Sequence, residues 1–255
     1  MKKDAGKEET AMINRNWKEE FEGRVAWIRD LVEASGARGI IFGNSGGKDS
    51  ALVGILCRAA CENTVGIIMP CASRRNYGED AEDGRALAER FGIETRTVDL
   101  TAVRERELAA LEGITELTDL AIANIAPRLR MTTLYTIGQS EGRLVAGTGN
   151  RSETYMGYFT KWGDGACDFN PIADLTATEV FAFLRYLGAP DSIVEKAPSA
   201  GLFDGQTDEQ EMGVTYSAID RYLTEGTASE ADRKIIDRYH ARSEHKRHPI
   251  PTYPA

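Results

Sequence analysis

The 255 residues suffice for one sizeable domain or two small ones, and a chain of this length buries roughly 70–75% of its unfolded surface without a disulfide staple. Hydrophobic residues at 42%, charged residues at 28% and 25 Gly against 8 Pro exclude a disordered, collagenous or repeat chain. Thirty-one basic against 40 acidic residues give a net charge of −9, a surface that repels the phosphates of nucleic acids and anionic lipids, so neither is an expected partner.

Residues 1–14 are polar and aperiodic and read as a disordered arm, with 15–255 as a single domain. No apolar stretch follows the charged leader, and no window of about 18 uninterrupted apolar residues occurs, so the cytoplasm is the expected compartment. Trp17, Phe21, Val25, Ile28 and Val32 recur at helical spacing until Ser35 and Gly36 close the helix. Apolar runs at 39–42, 65–69, 93–98 and 144–146 read as buried strands of a parallel sheet, with one helix each at 51–61 and 80–91 and two across 101–139. From about 165 the pattern is helical. Val180, Leu184 and Leu187 share a face, followed by 216–223 and a basic helix near 229–243.

This rhythm is that of an α/β fold: a doubly wound, mostly parallel sheet with helices on both faces and a helical C-terminal portion. Ligands of such sheets sit at the carboxyl ends of the strands, here just after Phe42, Met69, Val98 and Ala146. Cys57, Cys61, Cys71 and Cys167 lack zinc-site spacing and read as reduced core or loop thiols. From Arg233 to His248 there are six basic residues against two acidic, plus all three histidines. That end reads either as a solvated helix face with a dipole-matching basic turn or as a local anion site.

Directly after the first strand stands Gly43-Asn44-Ser45-Gly46-Gly47-Lys48-Asp49-Ser50, opening the next helix. Its glycines bare backbone N–H groups, and the helix N-terminus adds partial positive charge, so the loop suits phosphate. It is not a Walker A loop, which needs Gly where this chain has Phe42 and Ser or Thr where it has Asp49.

The loop resembles the SGGxDS pyrophosphate loop of enzymes that cleave ATP between its α and β phosphates. Far along the chain follow Gly147-Thr148-Gly149-Asn150-Arg151-Ser152-Glu153, Gly157-Tyr158-Phe159-Thr160-Lys161-Trp162-Gly163-Asp164-Gly165 and Pro198-Ser199-Ala200-Gly201-Leu202. Thr207-Asp208-Glu209 and Glu244-His245-Lys246-Arg247 complete a set, spanning roughly Phe21 to Pro249, that is closely similar to ammonia-dependent NAD synthetases.

The resemblance implies a reaction in which the nicotinate carboxylate of deamido-NAD is adenylated by ATP and ammonia then displaces AMP. It implies that Ser45, Gly46, Gly47 and Ser50, with Gly43, Asn44 and Lys48 in the same loop, hold ATP phosphates, and that Thr148 and Ser199 hold ATP through hydroxyls. Asp49 and Glu153 match magnesium ligands. Lys161, Asp168, His245 and Lys246 match deamido-NAD contacts, as does Arg128, with Arg130 the alternative if the register shifts; Asp164 is placed near the ammonia or the nicotinate ring. A homodimer is implied as well.

Two positions depart from the family. Ala177 stands where a lysine usually contacts ATP, and the variable loop position carries Lys48, which leaves two readings: one cation moved from a helix to the loop, or a Lys48 side chain turned to solvent. Fewer than 40 residues precede the first strand, and none is cysteine, so free or separately supplied ammonia is the expected nitrogen source. The competing readings are another pyrophosphate-loop ligase and a non-catalytic nucleotide sensor.

Overall fold

Helix α1 (Trp17–Ser35) begins at Asn16, whose side chain accepts from the Glu19 N–H, and ends at Gly36 in the left-handed region. Its apolar stripe is pinned by Val25 and Ile28, both buried, and by Trp17 stacked on Phe183 with ring centroids 4.9 Å apart. These coordinates are a computed structural model that describes residues 15–71, 77–196 and 207–253. The expected arm at 1–14 and Ser199, within 197–206, lie outside the described residues.

Four parallel strands follow: β1 (Gly39–Gly43), β2 (Thr64–Ile68), β3 (Glu94–Thr97) and β4 (Arg143–Ala146), in the order β3-β2-β1-β4. Ile41 faces Val65 on one side and Val145 on the other. Helix α2 (Lys48–Ala60) carries the chain from β1 to β2 and α3 (Glu79–Phe91) leads into β3. Then come α4 (Thr101–Leu111), α5 (Asp119–Ala123) and α6 (Ile125–Glu141) before β4. The chain steps outward from β1 to β3 and then returns to the other side of β1. The order of strand addition therefore reverses between β1 and β4, and that crevice is where such sheets bind ligands.

Past β4 run α7 (Arg151–Met156), α8 (Ala177–Leu187), α9 (Asp191–Val194), α10 (Asp208–Met212), α11 (Tyr216–Glu225) and α12 (Glu230–Arg242), closed by a short 3-10 turn at Glu244–Lys246. One core joins α1, α2 and α8 to Ile40 and Phe42 of β1, and a second packs α6 on the opposite face through Ile41, Val65, Ile67 and Val145. Each fully buried Leu, Ile or Phe contributes roughly 1.5–3 kcal/mol. A third cluster binds α7 to α10, α11 and α12. No helix among the described residues is long and apolar enough to cross a membrane.

The doubly wound sheet and helical end are as expected, with three local corrections. The run at 93–98 forms a strand only over 94–97, exposed at Glu94 and Thr97 and half-buried at Thr95 and Arg96, with β3 at the sheet's edge where only one side meets a neighbouring strand. The stretch 101–139 holds three helices, since Thr118 caps a separate short α5. Pro127, in the first turn of α6, needs no intrahelical N–H partner. Helix α2 begins at Lys48, before the expected 51, because Gly47 already serves as its N-cap. The four cysteines are free, and burial pushes the Cys57, Cys71 and Cys167 thiols up, which agrees with reduced thiols.

Candidate active site

The loop after β1 is held from three sides. The Asn44 N–H donates to Ile67 O at 2.9 Å, and its buried side chain donates to Gly84 O of α3 at 2.8 Å. Gly46 has φ +72°, and a Cβ there would lie 2.1 Å from Asp80 O, so no other residue fits against α3. Ser45 and Ser50 hydroxyls meet at 3.0 Å, Ser45 Oγ accepts from Gly47 N at 3.3 Å, and Ser50 Oγ donates to Gly47 O at 3.0 Å. Gly47 caps α2 without a side chain, so the first N–H groups of a 13-residue helix face the loop's mouth with their partial positive charge.

Across the crevice, the turn after β4 supplies the second half. Asn150 and Glu153 form a reciprocal capping box at the start of α7: Asn150 Oδ1 accepts from Glu153 N at 3.0 Å and Glu153 Oε2 from Asn150 N at 3.2 Å. The free amide hydrogen-bonding capacity of Asn150 goes to Asp49, Nδ2 to Oδ1 at 3.0 Å. The ammonium of Lys48 contacts Asp49 Oδ2 and stands 3.6 Å from Glu153 Oε1, so one cation spans both carboxylates. The structure thus brings Asp49 and Glu153 together as expected.

Two carboxylates in one place repel. Burial, reinforced by Asp49, pushes the Glu153 carboxyl well above its ordinary range against the pull of Lys48. Burial alone would lower the Lys48 ammonium, but Asp49 and then Glu153 outweigh it and keep the group charged. Asp208 adds a third negative charge to this field and accepts from the buried Tyr216 hydroxyl at 3.1 Å. Behind it, Asp220 takes the Ser152 hydroxyl on one oxygen and Thr178 N on the other at 2.8 Å, which ties α7 to the start of α8. Sequence reasoning passed over Asp220 and left Asp208 without a role, although the Thr207-Asp208-Glu209 run pointed to the latter.

Among the described residues no three His, Cys, Asp or Glu side chains are grouped to hold a metal ion by themselves. The paired carboxylates of Asp49 and Glu153 still fit magnesium, which characteristically takes one or two carboxylates and completes its shell with water and substrate phosphates.

The second expected set gathers at the chain's basic end. Lys161 Nζ donates to His245 O at 2.7 Å, and Lys246 Nζ to Gly157 O at 2.8 Å and Phe159 O at 2.6 Å. Gly157 has φ +65°, and a Cβ there would lie 2.0 Å from that of Ser243, so this glycine admits the C-terminal segment. Arg128 is exposed and reaches Lys161 O at 3.5 Å. Arg130 turns instead to Met69 O at 3.1 Å, so Arg128 is the arginine that joins Lys161. Burial, seconded by Arg128 and Arg247, lowers the Lys246 ammonium against the pull of Asp164. Asp164 Oδ1 accepts from Thr160 N at 2.9 Å.

Asp168 is not bonded to this set: its carboxylate accepts from Val145 N at 2.8 Å and from the Tyr135 hydroxyl at 3.2 Å, securing the end of β4. Thr148 lies half-buried on the turn after β4. Trp162, beside Lys161, has φ +61° with its ring exposed, strain that the sequence does not announce. Ala177 is fully buried in the cluster that includes Tyr216, and the Lys48 ammonium lies 5.4 Å from that same ring. Lys48 thus lies against a ring of the same buried cluster that holds Ala177.

Both the sequence and the fold have known relatives. A family model described as NAD synthase matches residues 20–250. The chain is 48% identical over 242 residues to an NH3-dependent NAD synthetase of Carboxydothermus hydrogenoformans, covering 94% of this chain and 98% of that one. Its fold is similar to the NMN synthetase of Francisella tularensis, with TM-score 0.89 and 38% identity, covering 94% of this chain and 99% of the other. It is also similar to the NH3-dependent NAD synthetase of Campylobacter jejuni, with TM-score 0.76 and 27% identity, covering 94% and 100%. With the loop after β1, the carboxylate pair across the crevice and these matches in hand, the chain belongs to the NAD synthase family.

Proposed function

We propose that this chain makes NAD from deamido-NAD, ATP and ammonia through an acyl adenylate. The observation that carries the reading is the Asp49–Asn150–Glu153 linkage, which sets two carboxylates beside a phosphate-suited loop at the sheet's reversal point. A carboxylate oxygen of the nicotinate attacks the α-phosphorus of ATP, and the bond to the bridging oxygen breaks with its electron pair leaving on pyrophosphate. Ammonia then adds to the acyl carbon. AMP departs with the former carboxylate oxygen, and a proton is lost to give the amide. Adenylation is needed because oxide is not a viable leaving group.

Ser45, Gly46, Gly47 and Ser50, with the N-terminal amides of α2, bind the leaving pyrophosphate, and Thr148 and Ser199 hold the nucleotide. Magnesium held by Asp49 and Glu153 would neutralise charge between the two anionic reactants. Lys161, His245, Lys246, Arg128 and Asp168 bind the dinucleotide, and Asp164 lies where ammonia or the nicotinate ring is handled. Residues 15–255 act as one domain, in the cytoplasm. A homodimer is supported by α4, which buries none of its 11 residues, and by the exposed Val103, Ile114 and Leu120 around it. Deamido-NAD carrying heavy oxygen in both carboxylate positions tests the chemistry. AMP should acquire one labelled oxygen and pyrophosphate none, and unlabelled AMP refutes adenylation.

A second reading, in which the substrate is the mononucleotide nicotinate, is favoured by one observation: the TM-score is 0.89 to the NMN synthetase against 0.76 to the Campylobacter NAD synthetase. The ratio of kcat/KM for the two substrates decides between them. A preference for deamido-NAD supports the first reading, and a preference for the mononucleotide supports the second.

A further inference from the structure

Lys48 stands at the first position of α2, where the helix end is already positive, so a cation there is misplaced unless something compensates. Its side chain does not escape to solvent: it is only 5% exposed. The ammonium rests on Asp49 Oδ2 and 3.6 Å from Glu153 Oε1, with the rings of Tyr216 and Phe181 at 5.4 and 5.8 Å. Both carboxylates spend an oxygen on it, and their other oxygens are taken by Asn150, Nδ2 to Asp49 and backbone N to Glu153. The lysine therefore fills the position between Asp49 and Glu153 that a divalent cation would need. Asp49 and Glu153 keep 16% and 18% of their side-chain surface exposed, so solvent reaches the pair and only the ammonium stands between the two carboxylates.

We propose that Lys48 is a displaceable internal counter-ion: it keeps the carboxylate pair closed to free divalent cations until nucleotide phosphates bring an ion and draw the ammonium to themselves. This rests on the reading of Asp49 and Glu153 as the metal carboxylates. A flexible four-carbon stem at the base of the phosphate loop suits such an exchange, since phosphate on the adjacent amides offers the ammonium new acceptors. The consequence is ordered loading, in which the metal enters with nucleotide.

The test is manganese binding to the whole protein, read by paramagnetic resonance of the free ion, so that no turnover is required. Without nucleotide, the unaltered protein should bind manganese weakly. Lys48→Met should bind it at least tenfold more tightly, and Lys48→Arg, which keeps the charge, should stay weak. Manganese should also raise the melting temperature of Lys48→Met more than that of the parent, because the ion replaces the missing cation. If Lys48→Met does not fold, Lys48→Gln is read the same way. A non-hydrolysable ATP analogue should tighten manganese binding to the parent, and Asp49→Asn or Glu153→Gln should abolish that gain. Equal nucleotide-free binding by parent and Lys48→Met, with the analogue-dependent gain still lost in the carboxylate variants, overturns the counter-ion role and leaves the metal site standing. An analogue-dependent gain that survives both carboxylate variants overturns the metal reading and the counter-ion role with it.

Discussion

Asn150 donates its side-chain amide to Asp49 across 101 residues of sequence, at 3.0 Å, while its carbonyl oxygen caps the helix that carries Glu153. One buried asparagine thus fixes the distance between the halves of the site. Asn150→Ala should lower stability by about 2–4 kcal/mol, the cost of a lost N-cap plus a lost hydrogen bond to a charged group. Asn150→Ser keeps a capping oxygen but not the amide donor. It should recover much of that stability while kcat/KM stays at least tenfold down, as denaturant unfolding and steady-state kinetics would show. Full activity in Asn150→Ser would deny the asparagine a positioning role.

The carboxylates should separate function from stability in the opposite sense. Asp49→Asn and Glu153→Gln remove charge without removing volume, so each should lower kcat/KM about a hundredfold or more. Burial and Asp49 hold the Glu153 carboxyl up, which means that its ionised form is strained in the fold. Glu153→Gln should accordingly melt no lower than the parent. Calorimetry beside product formation checks both halves.

At the basic end, Lys161→Ala should raise the KM for the dinucleotide roughly tenfold or more, through loss of a charge-assisted contact, with a smaller effect on the KM for ATP. Lys246 also ties the C-terminal turn to Gly157 and Phe159 through two carbonyls. Lys246→Ala should therefore add a stability loss of about 1–3 kcal/mol, whereas Lys161→Ala, which loses one exposed bond to His245 O, should lose less. Unchanged dinucleotide titrations in both variants would return this end to a solvated helix face.

Much of this was legible in the sequence because apolar runs and glycine punctuation report local structure directly. The strands at 39–42 and 144–146 and the loop between Gly43 and Ser50 needed no tertiary information. Pairings across the fold did need it. Nothing local says that Asp220 accepts from Ser152, 68 residues earlier, or that the carboxylate of Asp168 accepts from Val145 N. The direction of the Lys48 side chain was equally hidden. The sequence left it open between the phosphates and solvent, and its ammonium lies on Asp49 and near Glu153, beside the Tyr216 ring. β3 deceived because Ile93, just before the strand, is buried, whereas within the edge strand Thr95 and Arg96 are only half-buried and Glu94 and Thr97 are exposed.

Acid should loosen α1 early. Arg24 bonds both Glu20 and Asp174, and Arg15 joins the same pair and Glu179. Burial alone would raise the Glu20 and Asp174 carboxyls, but their arginine partners outweigh it and hold both below their ordinary values of 4.5 and 3.8. A depressed carboxyl contributes stability that is complete at neutral pH and is lost as pH falls below those ordinary values. Arg24→Met should cost about 1–2 kcal/mol at pH 7, discounted for partial exposure, and should flatten the acid limb. Urea midpoints measured from neutral pH down through that range would show it, and an acid limb as steep as the parent's would contradict the assignment.

The most direct test of the central claim is the product set. Protein, magnesium, ATP, deamido-NAD and ammonium are mixed, and the products are counted by chromatography. The account predicts NAD, AMP and pyrophosphate in equal amounts, with no turnover when glutamine replaces ammonium. ADP and phosphate in place of AMP and pyrophosphate, or NAD formed from glutamine alone, would contradict it.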